Sequence, residues 1–236
     1  LTVPHPDWVG ERNAEGTSKE HGMFAKDRDI AQVEPNVFRD FVWLGQVVSR
    51  GTASVSGTSL EASAQDNSFV GNAIEMGHVV TVGGVSLEVI DVLGPTFLSV
   101  SRLREDAIAT ARPAAVIASS PFHIMTFRPQ LEWVHRQLLA MLGVGRFTNQ
   151  DEVYLPESRI KNPWELVRAE VYGALHLIYA AAGSALASDH PLNQRASLYR
   201  QMFRDERMRV VVQIDLDGDG TPDVLRRMNV GQLVRF

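Results

Sequence analysis

The spacing of apolar positions changes twice along the chain, and each change predicts a change of structure. Up to about residue 37 there is no period at all. Pro4, Pro6, Gly10, Gly16, Gly22 and Pro35 interrupt a polar stretch in which Trp8 and Phe24 stand isolated. Residues 1–37 read as an extended arm with at most one short helical turn, either a floppy terminus or a segment that orders against a neighbouring subunit, where Trp8 and Phe24 find cover. From 38 to 104 the pattern alternates. Val42, Leu44, Val47 and Val48 open it, and Thr52, Ser54, Ser56 and Thr58 continue it with small residues. His78-Val79-Val80-Thr81-Val82 and Val85-Ser86-Leu87-Glu88-Val89-Ile90 flank Gly83-Gly84. Two glycines between β-branched runs predict a two-residue hairpin, because both turn positions need positive φ. Gly94-Pro95 makes a further turn before Phe97–Leu103. Several short strands with close turns predict a small β-barrel or sandwich.

Residues 105–125 are Ala-rich and broken by Pro113, which predicts a connector. From Pro129 the spacing becomes helical: Leu131, Val134, Leu138, Leu139 and Leu142 form one stripe, and Gly143 stops it. Asn162-Pro163-Trp164-Glu165 predicts a helix start, with Asn162 as cap, Pro163 at the first helical position and Glu165 closing a capping box. That helix is expected to reach about Ala187, and a second runs from Pro191 to about Arg207 with Leu192, Tyr199 and Phe203 on one side. The two form an antiparallel αα-hairpin. Met208–Ile214 and Val224–Phe236 return to strand around an acidic turn. The fold class is α+β: a small β-barrel or sandwich module at 38–104, then a helical domain at 105–236 ending in a β-hairpin.

Composition narrows the function classes. Of 236 residues, 44% are hydrophobic and 22% charged, an ordinary globular balance. The net charge of −5 argues against a general nucleic-acid binder. Cysteine is absent, which removes thiolate metal sites, disulfide scaffolds and cysteine nucleophiles together and fits a reducing compartment. No apolar run is long enough to span a membrane, and Leu1–Gly10 lacks the layout of a signal peptide. Lysine occurs only at 19, 26 and 161, so the basic surface is almost all arginine. That follows from GC-rich coding or from selection for bidentate interfaces.

Candidate chemistry is concentrated in one turn. Asp215, Asp217, Asp219, Thr221 and Asp223 occupy alternate positions, and Gly220 follows the third Asp. Alternating oxygens with a glycine bend match the first part of a calcium loop, but Arg226 stands where the bidentate Glu belongs and the flanks are strands. The other reading is a plain Asp-Gly hairpin whose carboxylates are answered by Arg207, Arg209 or Arg226. The seven histidines form no ligand motif; His135 and His176 lie on helices where they could face each other, and both read as structural. Glu165 and Glu170 read as surface partners of Arg168. Arg195, Arg200, Arg204, Arg207 and Arg209 line the last helix and its exit, and read either as a solvated face or as a stripe meeting an acidic neighbour. No nucleophile elbow, phosphate loop or dinucleotide fingerprint occurs.

The run Asn162-Pro163-Trp164-Glu165-Leu166-Val167-Arg168, the long helix through Tyr179-Ala180-Ala181-Ala182, the second helix ending Tyr199-Arg200-Gln201-Met202-Phe203, and the hairpin Ile214–Gly220 together resemble the head–tail adaptor (connector) proteins of tailed bacteriophages. The likeness covers about 160–236. The β module is no part of a minimal adaptor and would be an insertion. The resemblance implies a non-enzymatic virion protein of the neck, made in the host cytoplasm. It would form a ring, commonly twelve-fold in such adaptors, that joins the portal to the tail. DNA would pass through the ring without specific recognition. No cofactor is required on this reading, and Ca2+ at Asp215, Asp217, Asp219 and Asp223 is the one candidate ion. Trp8, Phe24, Arg200, Arg204 and Arg207 are the candidate interface residues. A calcium-braced binding or adhesion module is the alternative.

Overall fold

The computed structural model describes residues 22–145 and 155–228, so Trp8 lies outside the described residues. The alternating half closes into a six-stranded barrel. Strands β1 (Val47–Gly57), β2 (Ser59–Gln65), β3 (Val79–Val82), β4 (Val85–Val92), β5 (Phe97–Ser101) and β6 (Ala114–Met125) follow the order β1-β2-β5-β4-β3-β6, and β6 returns to β1. All pairings are antiparallel. Val55, Leu60, Val80, Val82, Leu87, Leu98, Val100 and Ile124 fill the interior, as expected of a barrel this narrow. Gly83 and Gly84 turn the β3–β4 hairpin with φ of 54° and 81°.

The barrel corrects the expected boundaries. Residues 114–125, read as connector, form its longest strand, which pairs with both β1 and β3. The unit therefore runs from 47 to 125 instead of 38 to 104. Val42 and Leu44 stand outside the strands, and Leu44 is 77% exposed. β6 accommodates Pro121, opposite Thr52, with an irregularity just before it. Ser119 takes φ of 36°, the β1–β6 register slips between Ala53 and Val55, and the Ser119 N–H donates to Ser54 Oγ at 3.0 Å. A bulge of this kind lets a strand carry proline without leaving the ladder.

The second layer is helical. Helices α1 (Asp27–Val33), α2 (Val37–Asp40), α3 (Arg128–Leu142), α4 (Val167–Gly183) and α5 (Pro191–Arg209) share one core. The part of the expected arm from Met23 onward is folded into it: Ala25, Ile30, Ala31, Val37 and Phe38 are buried with Leu131, Leu138, Leu175 and Ile178. Two helices of seven and four residues are too short to show a period, which is why the segment reads as irregular. The αα-hairpin is present, with α4 ending at Gly183 instead of Ala187 and α5 running to Arg209. His190 Nδ1 accepts the Leu192 N–H, and Pro191 opens α5.

Asn162 does not cap its helix. Its amide donates to the Val211 carbonyl at 2.9 Å and accepts the Gln213 N–H at 2.7 Å, clamping the start of the αα-hairpin to the C-terminal ribbon. Pro163–Leu166 is a 3₁₀ turn leading into α4. The ribbon consists of β7 (Val211–Ile214) and β8 (Val224–Arg227), antiparallel. It lies over a small third core of Leu142, Val144, Leu155, Ile160, Leu166, Val210, Val212 and Ile214. Among the described residues no helix is long and apolar enough to cross a membrane.

Candidate functional site

The acidic turn sits at the tip of the ribbon, and the structure divides its four aspartates. Asp215, Asp217 and Asp223 bring one carboxylate oxygen each within 4.8 Å of one another, a set that could hold a metal ion. Asp219 is not in the set; its Oδ1 accepts both the N–H and the hydroxyl of Thr221, at 2.7 and 2.6 Å. Asp215 is buried and already well served. It accepts from Lys161 Nζ at 2.9 Å, Arg159 at 3.3 Å and the N–H groups of Gly218 and Gly220 at 2.5 and 3.0 Å. The Lys161 hydrogen bond leads in holding its carboxyl down at about 2. The cations answering this turn are thus Arg159 and Lys161, from the segment before α4. Arg226, expected in that role, instead donates to the Leu142 carbonyl at the end of α3. Two fixed cations beside Asp215 compete with any added metal ion.

A second cluster was not legible as one. Glu170, expected at the surface, is fully buried on α4. Its Oε1 meets His135 Nδ1 at 3.0 Å, and its Oε2 accepts the Ala25 N–H at 2.6 Å. His135 Nε2 reaches Glu157 at 3.2 Å, and the Phe24 ring lies against the imidazole with centroids 4.6 Å apart. Burial opposes the charged imidazole, but the two carboxylates outweigh it and push His135 up to about 9. A histidine held cationic at neutral pH cannot act as a base there; it is a charged clamp joining α3, α4, the Phe24-Ala25 segment ahead of α1 and the turn at Glu157–Arg159. The signal for it was present in the sequence, since Glu170 lies between Val167 and Val171 on the apolar side of α4. His176 has a separate partner, the Ala196 carbonyl on α5 at 3.0 Å.

Above this clamp runs an apolar groove of about 650 Å³, lined among others by Phe24, Pro156, Ile160, Pro163, Trp164 and Val167. Trp164 is 65% exposed at its edge. Glu157 also lines it and is the point where the buried charges meet solvent.

The candidate interface residues separate by role. Arg200 and Arg204 are exposed one turn apart on α5. Arg207 folds back, with its guanidinium 4.7 Å from the Phe203 ring centre and a hydrogen bond to Met141 Sδ at 3.2 Å. Arg195 is taken by Glu34 at 3.1 Å and by the Tyr179 hydroxyl. Phe24 serves the fold through His135. Three acidic groups in the described part of the arm are engaged within the chain: Asp27 accepts the Phe127 N–H, Asp29 the Lys26 N–H, and Glu34 the Tyr199 hydroxyl at 2.5 Å.

A last ionic cluster ties the arm to the barrel. The side chain of Glu88 on β4 is fully buried and accepts from Arg28 Nε at 2.8 Å and from Arg104 Nε. Arg28 also donates to the Arg104 carbonyl at 2.8 Å. Set against protein-family models, curated proteins and solved structures, the chain matches none.

Proposed function

We propose that the chain is a structural adaptor of the head–tail junction in a tailed bacteriophage, a ring-forming protein placed between portal and tail that acts by contact. The observation that carries this reading is the unit built from residues 160–228. An αα-hairpin and a terminal ribbon, clamped together by Asn162, make one body with an exposed arginine edge at Arg200 and Arg204 on α5. This is the same arrangement of elements on which the resemblance to adaptors rests. The buried charges around His135, Glu88 and Asp215 are answered within the chain and brace the body. Neighbours in a ring meet through two unlike surfaces, and the arginine edge of α5 offers one of them.

Sedimentation velocity of the protein alone and mixed with portal and tail components tests this. A ring-sized species is expected, and Arg200→Glu with Arg204→Glu is expected to weaken it without changing the melting temperature. A protein that stays monomeric in every mixture refutes the reading. The second reading, a calcium-braced module, has the cluster of Asp215, Asp217 and Asp223 in its favour. It requires a rise in melting temperature with added calcium that Asp217→Ala abolishes, because an ion bound only by the folded state stabilises it by mass action.

A further inference from the structure

The groove beside Trp164 is concave and apolar, yet it opens at the point where the chain enters the described fold. Gly22 and Met23 form part of its lining. Residues 1–21 therefore begin their path at the groove's own rim. Their apolar content is concentrated at the far end, in Leu1, Val3, Pro4, Pro6, Trp8 and Val9, and what lies between Val9 and the rim is polar or glycine apart from Ala14. Val3-Pro4-His5-Pro6-Asp7-Trp8 has prolines at alternate positions. Proline fixes φ near −65°, so such a run favours an extended polyproline conformation and loses little entropy on docking. Grooves lined by aromatic and proline side chains suit this kind of segment, and Phe24, Pro156, Pro163 and Trp164 supply those side chains.

We propose that the groove receives residues 3–8 of a neighbouring copy, with Trp8 seated beside Trp164. The inference rests on the adaptor reading and names the contact that links its subunits. Reach permits a neighbour's segment as well as the chain's own, and the length of the tether favours the neighbour. A return into the same groove needs only a short reversing turn of about 2–6 residues. The fourteen residue steps from Trp8 to Gly22 can instead extend to about 45–50 Å. A compact chain of 236 residues is about 45 Å across, so the tether matches one subunit's width. Groove and segment are unlike and complementary. A contact that repeats from copy to copy in one direction closes into a ring when the rotation between copies allows.

The absence of native cysteine makes the test direct. Asp7→Cys and Ser158→Cys each place a single thiol, one in the segment and one on the groove lining. Both single variants are mixed in equal amounts and oxidised, and the products are resolved without reductant beside sedimentation of the same samples. A disulfide-linked pair of the two variants is expected, and Trp8→Ala should reduce it about ten-fold or more, as truncation of an aromatic anchor does. The double variant Asp7→Cys/Ser158→Cys is expected to give covalent oligomers. A double variant that closes only within one chain overturns the proposal in favour of the chain's own segment. A ring-sized species without cross-linking overturns the proposal, gives the groove to another partner and leaves the adaptor reading standing. Monomer without cross-linking in every mixture overturns both.

Discussion

The clamp at His135 makes stability depend on alkaline pH with a definite sign. The imidazole titrates at about 9 in the folded protein because Glu157 and Glu170 hold its proton, against about 6.5 in the unfolded chain. A raised folded pKa gives stabilisation that is complete below pH 6.5 and disappears as the pH rises through 9. The displacement corresponds to about 3 kcal/mol. Glu157 is 13% exposed in its side chain, and solvent screening on that side brings the figure to about 2 kcal/mol. The groups facing the ring are Glu157, Glu170 and the Phe24 side chain, and the Ala25 N–H supports Glu170 from behind. Urea denaturation at pH 7, 8, 9 and 10, with unfolding free energy extrapolated to water, reads the effect. The parent protein should lose about 2 kcal/mol across this range. His135→Gln should start lower at pH 7 and stay nearly flat. Equal pH slopes in parent and variant would refute the assignment, since the dependence would then belong to other groups.

Three further outcomes test the packing. Glu88→Gln removes the charge answering Arg28 and Arg104 inside the protein, and should cost about 3–5 kcal/mol in denaturant titration, as loss of one partner of a buried ion pair does. Gly173 lets α4 approach α3 so closely that a Cβ there would lie 2.6 Å from a methyl of Val134. Gly173→Val should therefore lower stability by about 3 kcal/mol or more, whereas Gly84→Ala, with open space around its Cβ but φ of 81°, should cost about 1 kcal/mol.

The fold was legible where local pattern and tertiary role agree. The β3–β4 hairpin announces itself through Gly83-Gly84, and α3 and α5 through stripes bounded by Gly143 and Pro191. β6 was hidden because none of its residues from Ala114 to Pro121 is buried, so that half carries no apolar alternation to read. Ala114, Ala115, Ala118, Ser119 and Ser120 then look like linker. Asn162 reads as a cap from sequence because Asn before Pro normally is one. In the fold its amide is better spent on two backbone groups of β7, which no local rule could foresee. The acidic turn was visible as spacing, but which cations answer it depends on how the segment before α4 lies against the ribbon. Glu170 divides the same way: its place on the apolar side of α4 was readable, but its partners His135 and the Ala25 N–H follow from how α3 and the segment ahead of α1 pack on α4.

These charged contacts converge on a short segment that sequence pattern assigns to the arm. Ala25 is bound to Glu170 on α4, Arg28 to Glu88 on β4, and Glu34 to Arg195 and Tyr199 on α5. Ile30 and Ala31 are fully buried in the helical core. Residues 25–34 thus act as a staple between barrel and helices, and the arm proper stops near residue 22. Truncation separates the two parts. Removing residues 1–21 should leave the urea midpoint almost unchanged and act only on association. Removing residues 1–35 takes away a buried Ile worth about 1.5–3 kcal/mol and leaves Glu88 short of one arginine. Together these losses reach about 5 kcal/mol, the lower bound of what a whole domain commonly has. The shorter product should therefore show no cooperative unfolding transition. If it melts as cooperatively as the full chain, the staple is dispensable, and the packing of Val79 and Met125 into the helical core is enough to hold barrel and helices together.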